Sequence, residues 1–238
     1  YVKFADTLKG MNELAHILRK HKEKRGYIDF DLDEPKIICD KDGKCIDVVV
    51  YDREDGEKLI EDFMIAANET VATHISNMDL PFIYRVHDLP NAEKIEDFTN
   101  LIKQMGYQIH TNLNKITPVT MQNLLNEFRD KDEFVILSDM LLRSMKKAIY
   151  STNNIGHFGL ASKNYTHFTS PIRRFPDLTV HRLLRTYLFE NRIDMETINF
   201  NAKYLIDVAE HSSETEVNAI EAERDVLDMK MAEYMMDH

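Results

Sequence analysis

The chain has 238 residues, of which 43% are hydrophobic and 30% charged, and its formal net charge is −11 at pH 7. That composition suits a globular protein of one large domain or two small ones, and its acidity excludes a generally basic nucleic-acid coat. No apolar run approaches membrane-spanning length and no signal peptide is visible, so a cytoplasmic protein without a membrane segment is expected.

Seven glycines and six prolines are few and point to a helix-rich chain with short loops. The two cysteines, Cys39 and Cys45, flank a tight turn and are expected as free thiols, because a chain of this size needs no staple. The first residue is Tyr1 rather than Met, as expected of a piece of something longer.

Residues 3–25 carry Leu8, Met11, Leu14, Ala15 and Leu18 at helical spacing. Arg19, Lys20, Lys22, Lys24 and Arg25 then precede Gly26, a cationic last turn with a glycine stop. That explanation is sufficient for the basic run, with an RNA contact as its weaker rival. Tyr27, Ile28 and Phe30 suggest a short strand. Lys36 to Cys39 and Lys44 to Tyr51 suggest a hairpin closed by Asp42-Gly43. Asp29, Asp31 and Asp33 alternate on one strand face, either as the solvated side of an edge strand, which we favour, or as a Mg²⁺ seat.

Residues 57–78 form a strongly apolar helix in which Glu61 and Asn68 sit two turns apart on one stripe. A helix that is apolar nearly all round is buried, so both groups must find partners, either internal ones or a bound substrate. PFIYRVHDLP (81–90) reads as extended. Helices are expected over 91–106 with Asn91 as cap, from Pro118 to Phe128, and from Phe134 to Lys147. Residues 149–166 read as strand and loop, and 176–190 as helix. From about Asn199 onward runs one long acidic helix or a broken pair.

The chemistry concentrates in HFTSPIRRFPDLTVHRLLR, residues 167–185. Arg173 and Arg174 stand at a helix entrance, where the macrodipole and free N–H groups favour anions. With Ser170 as N-cap and Pro171 as first helical residue, backbone N–H groups and two guanidinium forks would converge on a phosphate. Pro176 instead allows the first turn to be separate, with the long helix starting there. Asp177 either orients His181 or pairs with Arg174. On spacing alone, an anion site and surface salt bridges both stand. No phosphate-binding loop, nucleophile elbow, zinc motif or paired C-x-x-C is present.

The segment NIGHFGLASKNYTHFTSPIRRFPDLTVHRLLR resembles the signature of the RNB-type exoribonucleases, the family of ribonucleases R and II, and is closest in wording to the ribonuclease R branch. RGYIDFDLDEPKI (25–37), KLIEDFMIAANETVA (58–72), PFIYRVHDLP and EAERDVLDMK (221–230) agree in order and spacing.

The resemblance implies an α+β, predominantly helical fold, a partial RNB catalytic domain with a short antiparallel β-hairpin region. It implies a processive, Mg²⁺-dependent 3′–5′ hydrolase of single-stranded RNA that needs no small-molecule cofactor. Carried over by position, Arg173 contacts the scissile phosphate and Glu61 lies near the 3′-terminal nucleotide. Tyr165, His167, Thr169, Ser170 and Arg174 line the lower channel, with Asn68, Arg85 and His87 beside it or behind it. The family's D-x5-D-x-D-D metal cluster, its aromatic clamp, and its cold-shock and S1 barrels have no match in these residues. The chain is therefore expected to be the C-terminal portion of an RNB domain over 1–238, holding no metal site of its own and inactive when isolated. The rival is a non-catalytic RNA-binding or scaffold module on the same fold. Apolar surface that such a portion would leave uncovered makes self-association an expectation too.

Overall fold

The computed structural model describes residues 2–28, 34–51, 53–113 and 115–237. Asp29, Asp31 and Asp33, together with Phe30 of the expected first strand, lie outside the described residues.

Helix α1 runs Ala5–Arg25 after a 3-10 turn, and Gly26 closes it in the left-handed region at φ 97°. A Cβ on Gly26 would meet Val119 N at 2.5 Å, so the position requires glycine for space as well as for conformation. Tyr27 and Ile28 are not in a strand, contrary to expectation; Ile28 N–H donates to Gly159 O instead.

Strands β1 (Glu34–Cys39) and β2 (Cys45–Tyr51) form the expected hairpin, with Cys39 opposite Cys45 and both thiols free. Helix α2 is Asp55–Asn77, opened by a capping box between Glu54 and Glu57. The 81–90 segment contributes only β3 (Tyr84–Val86), which pairs antiparallel with β4 (Ile149–Ser151).

Three short helices follow β3: α3 (Ala92–Gln104), α4 (Pro118–Phe128) and α5 (Phe134–Ser144). Asn91 caps α3 by accepting from Lys94 N–H, as its residue type predicts. Helix α5 stops at Ser144, short of Lys147, because Met145 turns extended at ψ 143°. The three pack around one apolar core built on Phe98, Ile102, Met121, Leu124, Leu137 and Leu141.

A second core joins α2, the β3–β4 ladder, α6 (Phe175–Leu184) and α7 (Met195–Asp237) through Ile75, Phe82, Ile83, Val180, Tyr187 and Leu205. Between α6 and α7 the chain passes through a π-helical stretch, Arg185–Phe189. Its Tyr187 is buried with the hydroxyl satisfied, donating to Pro81 O at 2.9 Å and accepting from Asn201 at 3.0 Å. Helix α7 is single and unbroken over 43 residues. No described helix is long and apolar enough to cross a membrane. The fold is thus α+β and predominantly helical, with a small antiparallel hairpin.

Candidate nucleic-acid interface

The 171–185 segment answers the spacing question through Pro176. The helix begins at Phe175, so residues 170–174 form a separate turn that Ser170 O closes, accepting from Arg173 N–H at 3.3 Å and Arg174 N–H at 3.1 Å. Ser170 is therefore not the cap of α6; Arg174 occupies that position. Asp177, fully buried in the first turn of α6, ties the two parts together. Its Oδ1 accepts from Ser170 N–H at 2.7 Å and from the Arg174 guanidinium at 2.8 Å. Asp177 thus pairs with Arg174 and does not orient His181, whose Nε2 lies 3.0 Å from Phe168 O while its ring stacks on Phe168.

The neighbouring arginines part company here. Arg174 is largely enclosed. Arg173 is exposed, with no ion-pair partner among the described residues. Ile172, beside it, is wholly exposed, so the tip of the turn projects from the body.

Behind the turn lies a cavity of about 490 Å³ that brings together Glu61, Asn68, Tyr165 and Arg174 over an apolar floor that includes Met64 and Ile65. Asn68 is buried and bridges α2 to the signature loop. Its amide donates to Tyr165 Oη at 3.0 Å, and its Oδ1 accepts from Phe168 N–H at 3.1 Å. Burial pushes the Tyr165 hydroxyl up, and the Asn68 bond partly offsets this.

Glu61 is only half-buried. Its carboxylate is held by Lys22 and the Tyr27 hydroxyl at 3.2 Å and by Arg53 at 3.4 Å. The deeply buried carboxylate of α2 is its neighbour Asp62, paired with Arg19 and Lys22 at 2.8 Å. Sequence reasoning missed Asp62, whose partners lie on another helix, and no spacing in the sequence links them.

Tyr165 and His167 belong to a run of rings packed edge to face. His87 meets His157 at 5.0 Å, His157 meets Tyr165 at 5.3 Å, Tyr165 meets His167 at 5.9 Å, and His167 meets Tyr150 at 5.6 Å. Arg85 covers the far end, its guanidinium 4.6 Å from the Tyr150 ring centre and 2.6 Å from Glu216 of α7. Arg85 is therefore placed beside the ring run and away from the cavity. Burial, aided by Arg174 and Arg85, pushes His167 down to about 2, and burial with His87 pushes His157 down to about 3. Both rings are neutral at physiological pH, so neither adds positive charge to that of Arg85 and Arg174.

Thr169 Oγ1, Arg174 Nε and Asp177 Oδ2 are buried without a protein hydrogen bond among the described residues. These three atoms give the region unused polar capacity beside an exposed arginine. A metal is a different matter. The described residues contain no group of three His, Cys, Asp or Glu side chains that could hold one, so they do not fit a Mg²⁺ site.

Residues 2–190 match the model of the RNB domain. The chain is 46% identical over 238 residues to ribonuclease R 1 of Lactococcus lactis, covering all of this chain and 29% of that protein. It is 47% identical over 240 residues to ribonuclease R of Thermotoga maritima, again over the whole chain and 34% of the relative. Among solved structures it resembles Mycoplasma genitalium RNase R in complex with ribose-methylated single-stranded RNA. The TM-score is 0.92 at 32% identity, covering 99% of this chain and 37% of that one. The chain spans about a third of the length of the relatives it matches, and on these grounds it belongs to the RNB family.

Proposed function

We propose that this chain supplies the RNA channel and the scissile-phosphate arginine of a 3′–5′ exoribonuclease that releases 5′-mononucleotides from single-stranded RNA. The observation that carries the reading is Arg173. It is a free, exposed guanidinium on a turn locked by the buried Asp177, one residue from the wall of the Glu61–Tyr165 cavity. The locked turn fixes where that guanidinium is offered, so its charge can meet the one that grows on a phosphoryl oxygen.

In this reading Arg174 is committed to Asp177 and shapes the turn. Tyr165 and His167 offer ring faces to bases, the sequence-tolerant way to hold a single strand. Ser170 and Thr169 offer hydroxyls to the phosphate chain. Asn68 fixes the loop against α2, and Glu61 offers a carboxylate to sugar hydroxyls at the strand's end. Arg85 supports the ring run from behind. The strand ends in the cavity, which suits removal from an end over cleavage within the strand, and the 3′ polarity follows the family.

Mg²⁺ enters the reading as the hydrolytic cofactor of the complete enzyme, held by an aspartate cluster that has no match in this sequence, so no step is routed through it here. The likeness to a ribonuclease R solved with single-stranded RNA supports the choice of substrate.

The test is a time course with 5′-labelled single-stranded RNA and Mg²⁺, with binding followed in parallel by anisotropy. We expect salt-sensitive binding that Arg173→Ala weakens, and no cleavage by the isolated chain. Cleavage by the chain alone would assign it a metal site of its own and make Asp29, Asp31 and Asp33 the residues to change. Binding that ignores Arg173 would overturn the arginine's role. A parent protein that binds RNA but lacks the aspartate cluster would make this a non-catalytic RNA-binding module.

A further inference from the structure

The basic end of α1 reads from sequence as a helix stop, yet the last carbonyls of α1 have other partners. Gly26 N–H donates to Glu23 O at 3.0 Å and Tyr27 N–H to Lys22 O at 3.1 Å. Gln122 of α4 donates to Glu23 O at 3.0 Å and to Tyr27 O at 3.1 Å. Three of the cations are consumed by α2: Arg19 and Lys22 pair with Asp62, and Arg25 pairs with Glu69. Lys20 and Lys24 remain. Both are exposed, four apart on one helical face where like charges repel, and neither has an ion-pair partner among the described residues.

Arg129, just past the end of α4, is the third such cation. These three residues rim a cleft of about 500 Å³ between α1 and α4. Its walls add Arg19 and Lys22, against one acid, Glu23. Arg19 and Lys22 are neutralised by Asp62 and Glu61, which leaves three cations to one acid, the reverse of the chain as a whole, which carries −11. Unneeded for capping and unpaired in an acidic protein, the three rim cations leave the cleft with positive potential in a concave, low-dielectric place. The cleft shares no residue with the Glu61–Tyr165 cavity. The two touch back to back, because Lys22 lines the cleft, Glu61 lines the cavity, and they pair at 3.2 Å.

We infer that the α1–α4 cleft is a second seat for RNA, taking the phosphate backbone of a single strand outside the Arg173 channel. Lysine ammonium groups on flexible stems suit sequence-independent phosphate contacts, and the exposed Asn126 on the cleft wall can meet a sugar hydroxyl. The inference rests on the proposed RNA function, and its test separates the two.

The 238-residue chain is titrated into 5′-labelled polyuridine over a KCl series and followed by anisotropy, with three variants: K20A/K24A/R129A, R173A and their combination. All four substitutions are at exposed positions, and thermal melts check that folding is unchanged. Each lost single-strand phosphate contact removes about 0.7 from the slope of log K against log salt. We expect the triple variant to flatten the slope by about 2 for three contacts and to weaken binding. Losses in the combined variant should add to those of R173A in log K.

If the triple variant keeps the wild-type slope while R173A still weakens binding, the cleft proposal is wrong and the channel reading stands. If the wild-type chain does not bind polyuridine at low salt, the channel reading fails and the cleft falls with it. If polyglutamate displaces polyuridine from the wild type but not from the triple variant, the cleft is an acidic-polypeptide seat, and the RNA assignment is overturned.

Discussion

Arg174 gives its guanidinium to Asp177, a carboxylate with no solvent exposure, while Arg173 beside it gives its own to nothing in the described chain. The two substitutions should therefore separate. Arg174→Ala leaves a buried carboxylate with one hydrogen bond fewer and no counter-charge, a change that costs about 3–5 kcal/mol. Arg173→Ala should stay within about 0.5 kcal/mol of wild type, as exposed substitutions do, while RNA affinity falls. Urea denaturation beside the anisotropy titration checks both; equal stability losses would show that the turn is not locked as described.

Sequence placed both arginines at a helix entrance but could not divide their work, because Asp177 is as near to His181 along the helix as to Arg174. The start of α6 at Phe175 decides between them, and that rests on the proline ring at Pro176. Asp62 was not legible for a different reason. Its partners Arg19 and Lys22 come from a helix about forty residues upstream, and only packing brings them together.

The helices, unlike those pairings, carry their own signals. Periodic apolar residues, a cap at Asn91, a proline at the head of α4 and Gly26 at the end of α1 each act within a few residues, so their boundaries could be read directly. The β3–β4 ladder could not, since Tyr84 meets Ser151 across more than sixty residues and each strand has only three. Gly26 ties the local signal to tertiary packing, because α4 approaches α1 at that point. Gly26→Ala should cost at least the 1–2 kcal/mol typical of a left-handed alanine, plus the collision with the Val119 backbone. The lowered melting temperature should be accompanied by faster amide exchange at Tyr27, whose N–H bonds back to Lys22 O. Unchanged exchange there would mean that α4 simply moves aside.

In the molecule as a whole, neutral histidines are built into the interior of the described residues. His157 and His167 titrate near 3 and 2 in the fold, against the usual imidazole value of 6.5 in the unfolded chain. Below about pH 6.5 the unfolded state binds protons that the folded state refuses, so stability is full above that value and drains as pH falls toward 3. Melting temperature should thus drop steadily from pH 7 to pH 5, and His167→Asn should make the drop shallower. A flat profile would mean the rings are solvated. Over the same range the arginines stay charged, so RNA affinity should hold until the fold gives way.

Helix α7 enters the second core through Leu205, Val208, Ala209 and Ser212, and one turn on Glu216 ties it to Arg85 at 2.6 Å. Its next firm hold is near its other end, where Glu233 accepts from Cys45 N–H and Lys230 donates to Gly43 O. At 1.5 Å per residue, Glu216 and those contacts stand roughly 23 Å apart along one rod. The geometry is that of a lever with its fulcrum at Glu216. A bend of about 10° there, well within the curvature long helices tolerate, would carry the β1–β2 hairpin through about 4 Å while the Arg173 turn stayed still.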